Sequence, residues 1–184
     1  ADDAIVRIRT EAWSPADERG YGDFIAALGE SGCRTVDRCL HSPANPFRAS
    51  DPAGYAFRAD CADLPYFLRF YYAWKRGLPF SHVAQVDPRG RSRDIRYSAG
   101  GNLVAARRDV LSGSDALAVM RRLRDGISSA TYRIDPELEA PLAQDFYSPA
   151  LTPGGIRPGT VIYDPNGHLA VVFRVERNGR IHYI

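Results

Sequence analysis

No apolar run in this chain approaches the roughly 18 residues that a membrane-spanning helix needs, so no integral membrane segment is expected. Lysine is almost missing too: Lys75 stands alone among 24 basic residues. All the others are arginine, a bias that points to a GC-rich genome before it points to any ligand. Arg89, Arg91, Arg93 and Arg96 crowd one loop, and Arg107, Arg108, Arg121, Arg122 and Arg124 follow. Acids are mixed among them, the net charge is only +2, and no nucleic-acid-binding motif surrounds them. Nucleic acid is therefore not an expected partner, and the arginines read as solvated faces or as the rim of an anionic-substrate site. Internal repeats and low-complexity tracts are absent. Neither a metal nor a cofactor is called for.

The 45% apolar and 11% aromatic content excludes disorder, and 184 residues suit one ordinary domain with a real core plus an N-terminal extension. Nothing in the sequence assigns an oligomeric state. The three cysteines divide into a close pair, Cys33 and Cys39, and a distant single, Cys61. An odd count with one isolated member fits a reactive thiol beside a disulfide, and a short bridged loop over 33–39 would imply an oxidising compartment. The alternative is two reduced, buried cysteines in a cytoplasmic protein. The start Ala1-Asp2-Asp3-Ala4 fits a mature chain freed of an export signal, and fits a trimmed chain equally well.

Ile5 to Ile8 alternates apolar with basic and predicts a short strand, and residues 22–28 predict a short helix with Asp23 near its start. Pro43, Pro46 and Pro52 make 42–53 a loop, which divides residues 1–50 from a main domain over 51–184. Leu64, Phe67, Leu68, Tyr71 and Trp74 recur at three- and four-residue steps and predict a helix over 61–76, ended by Gly77 and Pro79. Strands are expected at 83–86 and 95–97 around the Pro88-Arg89-Gly90-Arg91 turn. Helices follow over 115–125, capped by Ser114, and over 136–146. Prolines and glycines from Pro149 to Gly159 then clear the chain of regular structure. Three antiparallel strands close it, over 160–163, 168–175 and 180–184, joined by Asp164-Pro165-Asn166-Gly167 and Asn178-Gly179, both good hairpin signals.

Asp60 is a favoured N-cap residue, Asp63 lies three residues on as in a capping box, and Pro65 is tolerated in a first turn. Cys61 is thereby expected to open its helix, where orphan amide hydrogens and the macrodipole favour the reactive thiolate. The plain alternative is a small buried cysteine at the foot of an aromatic helix. A thiolate nucleophile needs an imidazole in reach, and that imidazole needs an orienting partner. His168 and His182 sit on adjacent predicted strands, whereas His41 and His82 lie in or beside turns. A tight Asn178-Gly179 turn would pair 173–175 with 182–184 and leave His182 away from His168. A bulge could bring the two together diagonally, and His182 could equally be a polar residue on a half-solvated face.

These stretches resemble the NlpC-type cell-wall cysteine endopeptidases of the papain-like superfamily. Asp60-Cys61-Ala62-Asp63-Leu64 is similar to that family's helix start Asp-Cys-Ser-Gly-(Leu/Phe/Val), Pro158 to Tyr163 to its Pro-Gly-Asp-Leu-(Val/Ile)-Phe strand, and Gly167 to Val172 to its (Ser/Gly)-His-Val-Gly-(Ile/Val)-Tyr strand. Arg180-Ile181-His182-Tyr183 falls where such proteins carry Phe-(Ile/Val)-His-Ala. The resemblance covers roughly residues 52–184 and implies an α+β, papain-like domain with its nucleophile helix packed on an antiparallel sheet. It makes Cys61 the nucleophile, His168 the general base and acid, and His182 the orienter, with Asp60 and the Cys61 amide at the oxyanion. Tyr55 and Asp63 become substrate-cleft residues. Ala62-Asp63 in place of Ser-Gly, and the long interval from Cys61 to His168, depart from the pattern and leave specificity open. The chain stops just after His182, where a further strand of such a sheet would be expected.

The implied activity is cleavage of amide bonds in peptidoglycan stem peptides by a periplasmic or secreted bacterial cysteine peptidase. Two other functions fit the same residues: a non-catalytic module binding peptidoglycan or a partner, and a secreted effector amidase or acyltransferase.

Overall fold

A computed structural model describes residues 4–91, 93–135 and 137–184, which fold as α+β with two small antiparallel sheets. The first helix, α1 (Pro15–Glu30), starts well before the expected Gly22. Ser14 Oγ accepts the Asp17 amide while the Asp17 carboxylate accepts the Ser14 amide, and Pro15 occupies the first turn. Gly20 and Gly22 hid this start, since both lower helix propensity. Gly29 lets α1 press onto the final sheet, because a Cβ there would lie 2.0 Å from the Phe173 ring. Thr35 caps a short α2 (Val36–His41), and its Cys39 is joined to Cys33 by a disulfide.

The central element is α3 (Leu64–Arg76), nine of whose thirteen residues are buried. A helix so enclosed must be packed on most of its circumference, and α1, the fourth helix and the final sheet supply that packing. Gly77 ends it in the left-handed region at φ 67°. Near that end Lys75 pairs with Asp51 at 2.6 Å, both side chains nearly enclosed, and Tyr71 also donates to Asp51.

The strand partner of β1 (Ser81–Pro88) is β2 (Asn102–Asp109), not residues 95–97, which form a turn. Asn102 fixes that connection: its amide donates to the Ile95 and Ala130 carbonyls and its oxygen accepts from Ser98. Helix α4 (Ala116–Gly126) is capped by Asp115 rather than Ser114. A four-residue α5 (Ser129–Tyr132) follows. Of the helix expected over 136–146, Pro136 lies outside the described residues and 137–146 form turns and bends. The last sheet has the order β3 (Val161–Tyr163), β4 (Leu169–Val175), β5 (Ile181–Tyr183), all antiparallel. Ile5 makes only an isolated bridge, to Asp115.

One apolar cluster runs through Val6, α1, α2, α3, α4, Tyr132, Leu169 and Val171. The residues expected to form an N-terminal extension therefore pack into the same core as the segment carrying Cys61 and His168. Among the described residues no helix is long and apolar enough to cross a membrane.

Candidate active site

Cys61 does not lie within α3 but in a separate turn of residues 60–63 at its foot. The Asp60 carboxylate accepts the Ala62 amide at 2.8 Å and the Asp63 amide at 3.1 Å, and Asp63 Oδ1 accepts the Asp60 amide at 2.9 Å. The Leu64 amide closes the turn onto the Asp60 carbonyl. The Asp60, Ala62, Asp63 and Leu64 amides thus each have an acceptor, whereas among the described residues no group accepts from the Cys61 N–H. Cys61 itself is half-buried and is the free cysteine among the described residues.

The two acids of this turn have different fates. The neighbouring Asp63 carboxyl and the amides of the turn hold Asp60 below the usual carboxylate range. Asp63 is fully buried, and burial first, then the Asp60 carboxylate beside it, pushes its carboxyl up to about 8. Two expectations are corrected here. Asp63 cannot touch substrate, because none of its surface is exposed. The Asp60 side chain cannot serve an oxyanion, because it is an anion already engaged by two amides.

Tyr132 of α5 donates its hydroxyl to the Ala62 carbonyl, and its ring lies against Phe146 and Tyr163, with centroids at 5.0 and 6.3 Å. Tyr163 pairs in register with Leu169, the residue after His168, and Gly167 lies against Ser129 at the start of α5. The short α5 therefore ties the Cys61 turn to the hairpin that carries His168. Sequence reasoning missed Tyr132, which sits in no periodic pattern. His168 is exposed, and no hydrogen bond joins it to Cys61.

His182 is elsewhere. It pairs across the ladder with Arg174, and its Nε2 meets Glu176 Oε1 at 2.6 Å. The Glu176 carboxyl is held low chiefly by that bond. Arg174 stands six residues beyond His168 along β4, roughly 20 Å away at ~3.3 Å per residue, so His182 does not orient His168. The Glu176 to Arg180 turn is closed at both ends by backbone bonds, which sets this register. Tyr55 is half-buried and packs edge-on against Phe57 at 5.0 Å, at the margin of the core cluster. A cleft of about 530 Å³ lined by Trp13, Tyr66, Arg69, Phe80 and Asp145 contains none of Cys61, His168 or His182. No group of three His, Cys, Asp or Glu side chains among the described residues could hold a metal ion.

No protein family, curated protein or solved structure matches the chain.

Proposed function

We propose that this chain is an exported bacterial thiol peptidase or amidase of papain-like, NlpC-type fold, acting through Cys61 and His168 on amide bonds of peptidoglycan stem peptides. The observation that carries this reading is the Cys61 turn: a free, half-exposed thiol whose own amide, unlike its neighbours in the turn, has no acceptor among the described residues. An amide in that position is a donor for the oxyanion that forms when Sγ attacks a carbonyl. The thiolate adds to the scissile carbonyl, the C–N bond breaks as His168 protonates the departing amine, and water, deprotonated by His168, then hydrolyses the thioester. A buried central helix with the cysteine at its foot, packed on an antiparallel sheet, supports the papain-like assignment. The Cys33–Cys39 disulfide supports a periplasmic or secreted location.

Cys61→Ala should abolish release of soluble muropeptides from peptidoglycan while leaving the fold intact by circular dichroism; undiminished release overturns the proposal. A second reading, a module that binds wall peptides without turnover, is favoured by one observation, the missing hydrogen bond between Cys61 and His168. Pull-down on insoluble peptidoglycan by a wild-type protein that releases nothing would select it.

A further inference from the structure

We infer that Asp63 is a positioning residue for Cys61: a buried acid that shares its proton with Asp60 and thereby holds the cysteine-bearing turn closed. The inference rests on Cys61 being the reactive group of the site, as proposed above. It starts from an imbalance in the turn. Asp63 has no exposed surface, its Oδ1 accepts the Asp60 amide, and its Oδ2 is buried without any hydrogen-bond partner. A carboxylate buried with one empty oxygen is unfavourable and takes up a proton instead. Since Oδ1 already accepts an N–H, the proton belongs on Oδ2, beside the Asp60 carboxylate.

The surroundings give that proton no competitor. The groups acting on this pocket are Asp60 and Cys61 from the turn itself and Tyr132 from α5, and Tyr21 of α1 acts electrostatically on Tyr132. Among the described residues no cation bonds to Asp63, and the backbone amides of Asp60 and Asp63, which favour its ionised form, are outweighed by burial and by the Asp60 carboxylate. Neutral, Asp63 presents an O–H to Asp60 while Asp60 gathers the Ala62 and Asp63 amides. Ionised, it would set two negative charges side by side and repel the carboxylate that keeps the turn folded. The thiol lies between the two acids in sequence, so opening the turn moves Sγ and the free Cys61 amide together. The upward-shifted Asp63 carboxyl fits this arrangement.

The test needs no substrate and uses the full chain with its disulfide intact. Wild type and Asp63→Asn are compared for iodoacetamide alkylation of Cys61, and for hydrogen-exchange protection of the Asp60 and Ala62 amides, at about pH 6.5 and about pH 9.5. Asparagine keeps the oxygen that accepts the Asp60 amide and offers Asp60 an N–H at every pH. Wild type should lose about tenfold in amide protection at the higher pH and label about tenfold faster than the variant there, with equal rates at the lower pH. A wild-type protection profile flat across this range overturns the proposal even if the variant does not fold. A protection loss with unchanged relative alkylation overturns the positioning role. Failure of the hydrolase reading would leave both readouts as expected and show only in muropeptide release.

Discussion

The hydroxyl of Tyr132 donates to the carbonyl of Ala62, so a residue seventy positions downstream holds the one directly after the free cysteine. Ala62 is buried, so removing the hydroxyl deprives an enclosed carbonyl of its donor. Tyr132→Phe should therefore destabilise the protein by about 1–3 kcal/mol, the cost of orphaning a buried acceptor. The urea midpoint should fall with the slope unchanged, and muropeptide release should fall with it under conditions where the variant is folded.

The two histidines of the final sheet should behave oppositely. His168→Ala is expected to reduce hydrolysis by about 10²–10⁴-fold, the usual contribution of a general acid and base. His182→Ala should leave kcat/KM within about threefold, since its imidazole is bonded to Glu176 and lies a strand's length from His168. Equal losses in both variants would contradict the register described for β4 and β5.

At the other end of α3, Lys75 and Asp51 form a pair whose side chains are 6% and 5% exposed. Removing either partner alone leaves an uncompensated charge, so Lys75→Met or Asp51→Asn should cost about 3–5 kcal/mol. The double variant should cost less than the sum of the two, because each single change already destroys the same interaction. Chemical denaturation of all four proteins closes that cycle.

His82 supplies a pH dependence of stability. It is buried between Tyr66 and Phe80, its Nδ1–H donates to the Val83 carbonyl, and burial lowers its pKa below the ordinary 6.5. Asp145 pulls the other way and Arg107 and Arg108 reinforce the shift. The unfolded chain therefore binds a proton that the folded one refuses as pH drops through 6.5. Stability from this residue is complete above that pH and declines below it. His82→Gln should flatten the acid limb of a thermal-denaturation series taken from about pH 7.5 to 5.

Local signals were the legible part of this chain. The apolar spacing of Leu64 to Trp74 revealed α3, and Asp164 to Gly167 with Asn178-Gly179 revealed the closing hairpins, because each signal lies within a few residues of what it determines. What failed depended on distant partners. Residues 95–97 have strand-like composition, yet Asn102 draws them into a turn through Ala130, and β2 was hidden by its charged face. Asp63 reads from the sequence as a capping-box residue and, through the resemblance, as a substrate-cleft residue. Its burial depends on the packing above it, which no pattern around position 63 records. The resemblance pairs His182 with His168, but that needs a shifted register, and the tight turn at Asn178-Gly179 sets His182 opposite Arg174 instead.

The lone lysine also decides how this protein can be handled. Because the Lys75 ammonium is folded away against Asp51 and Trp74, the described surface offers amine-directed reagents no side chain to modify. Succinimidyl dyes and amine crosslinkers will find the chain terminus and little else until the core opens. Acylation of Lys75 is thus a built-in reporter of unfolding, readable by mass spectrometry without engineering a probe.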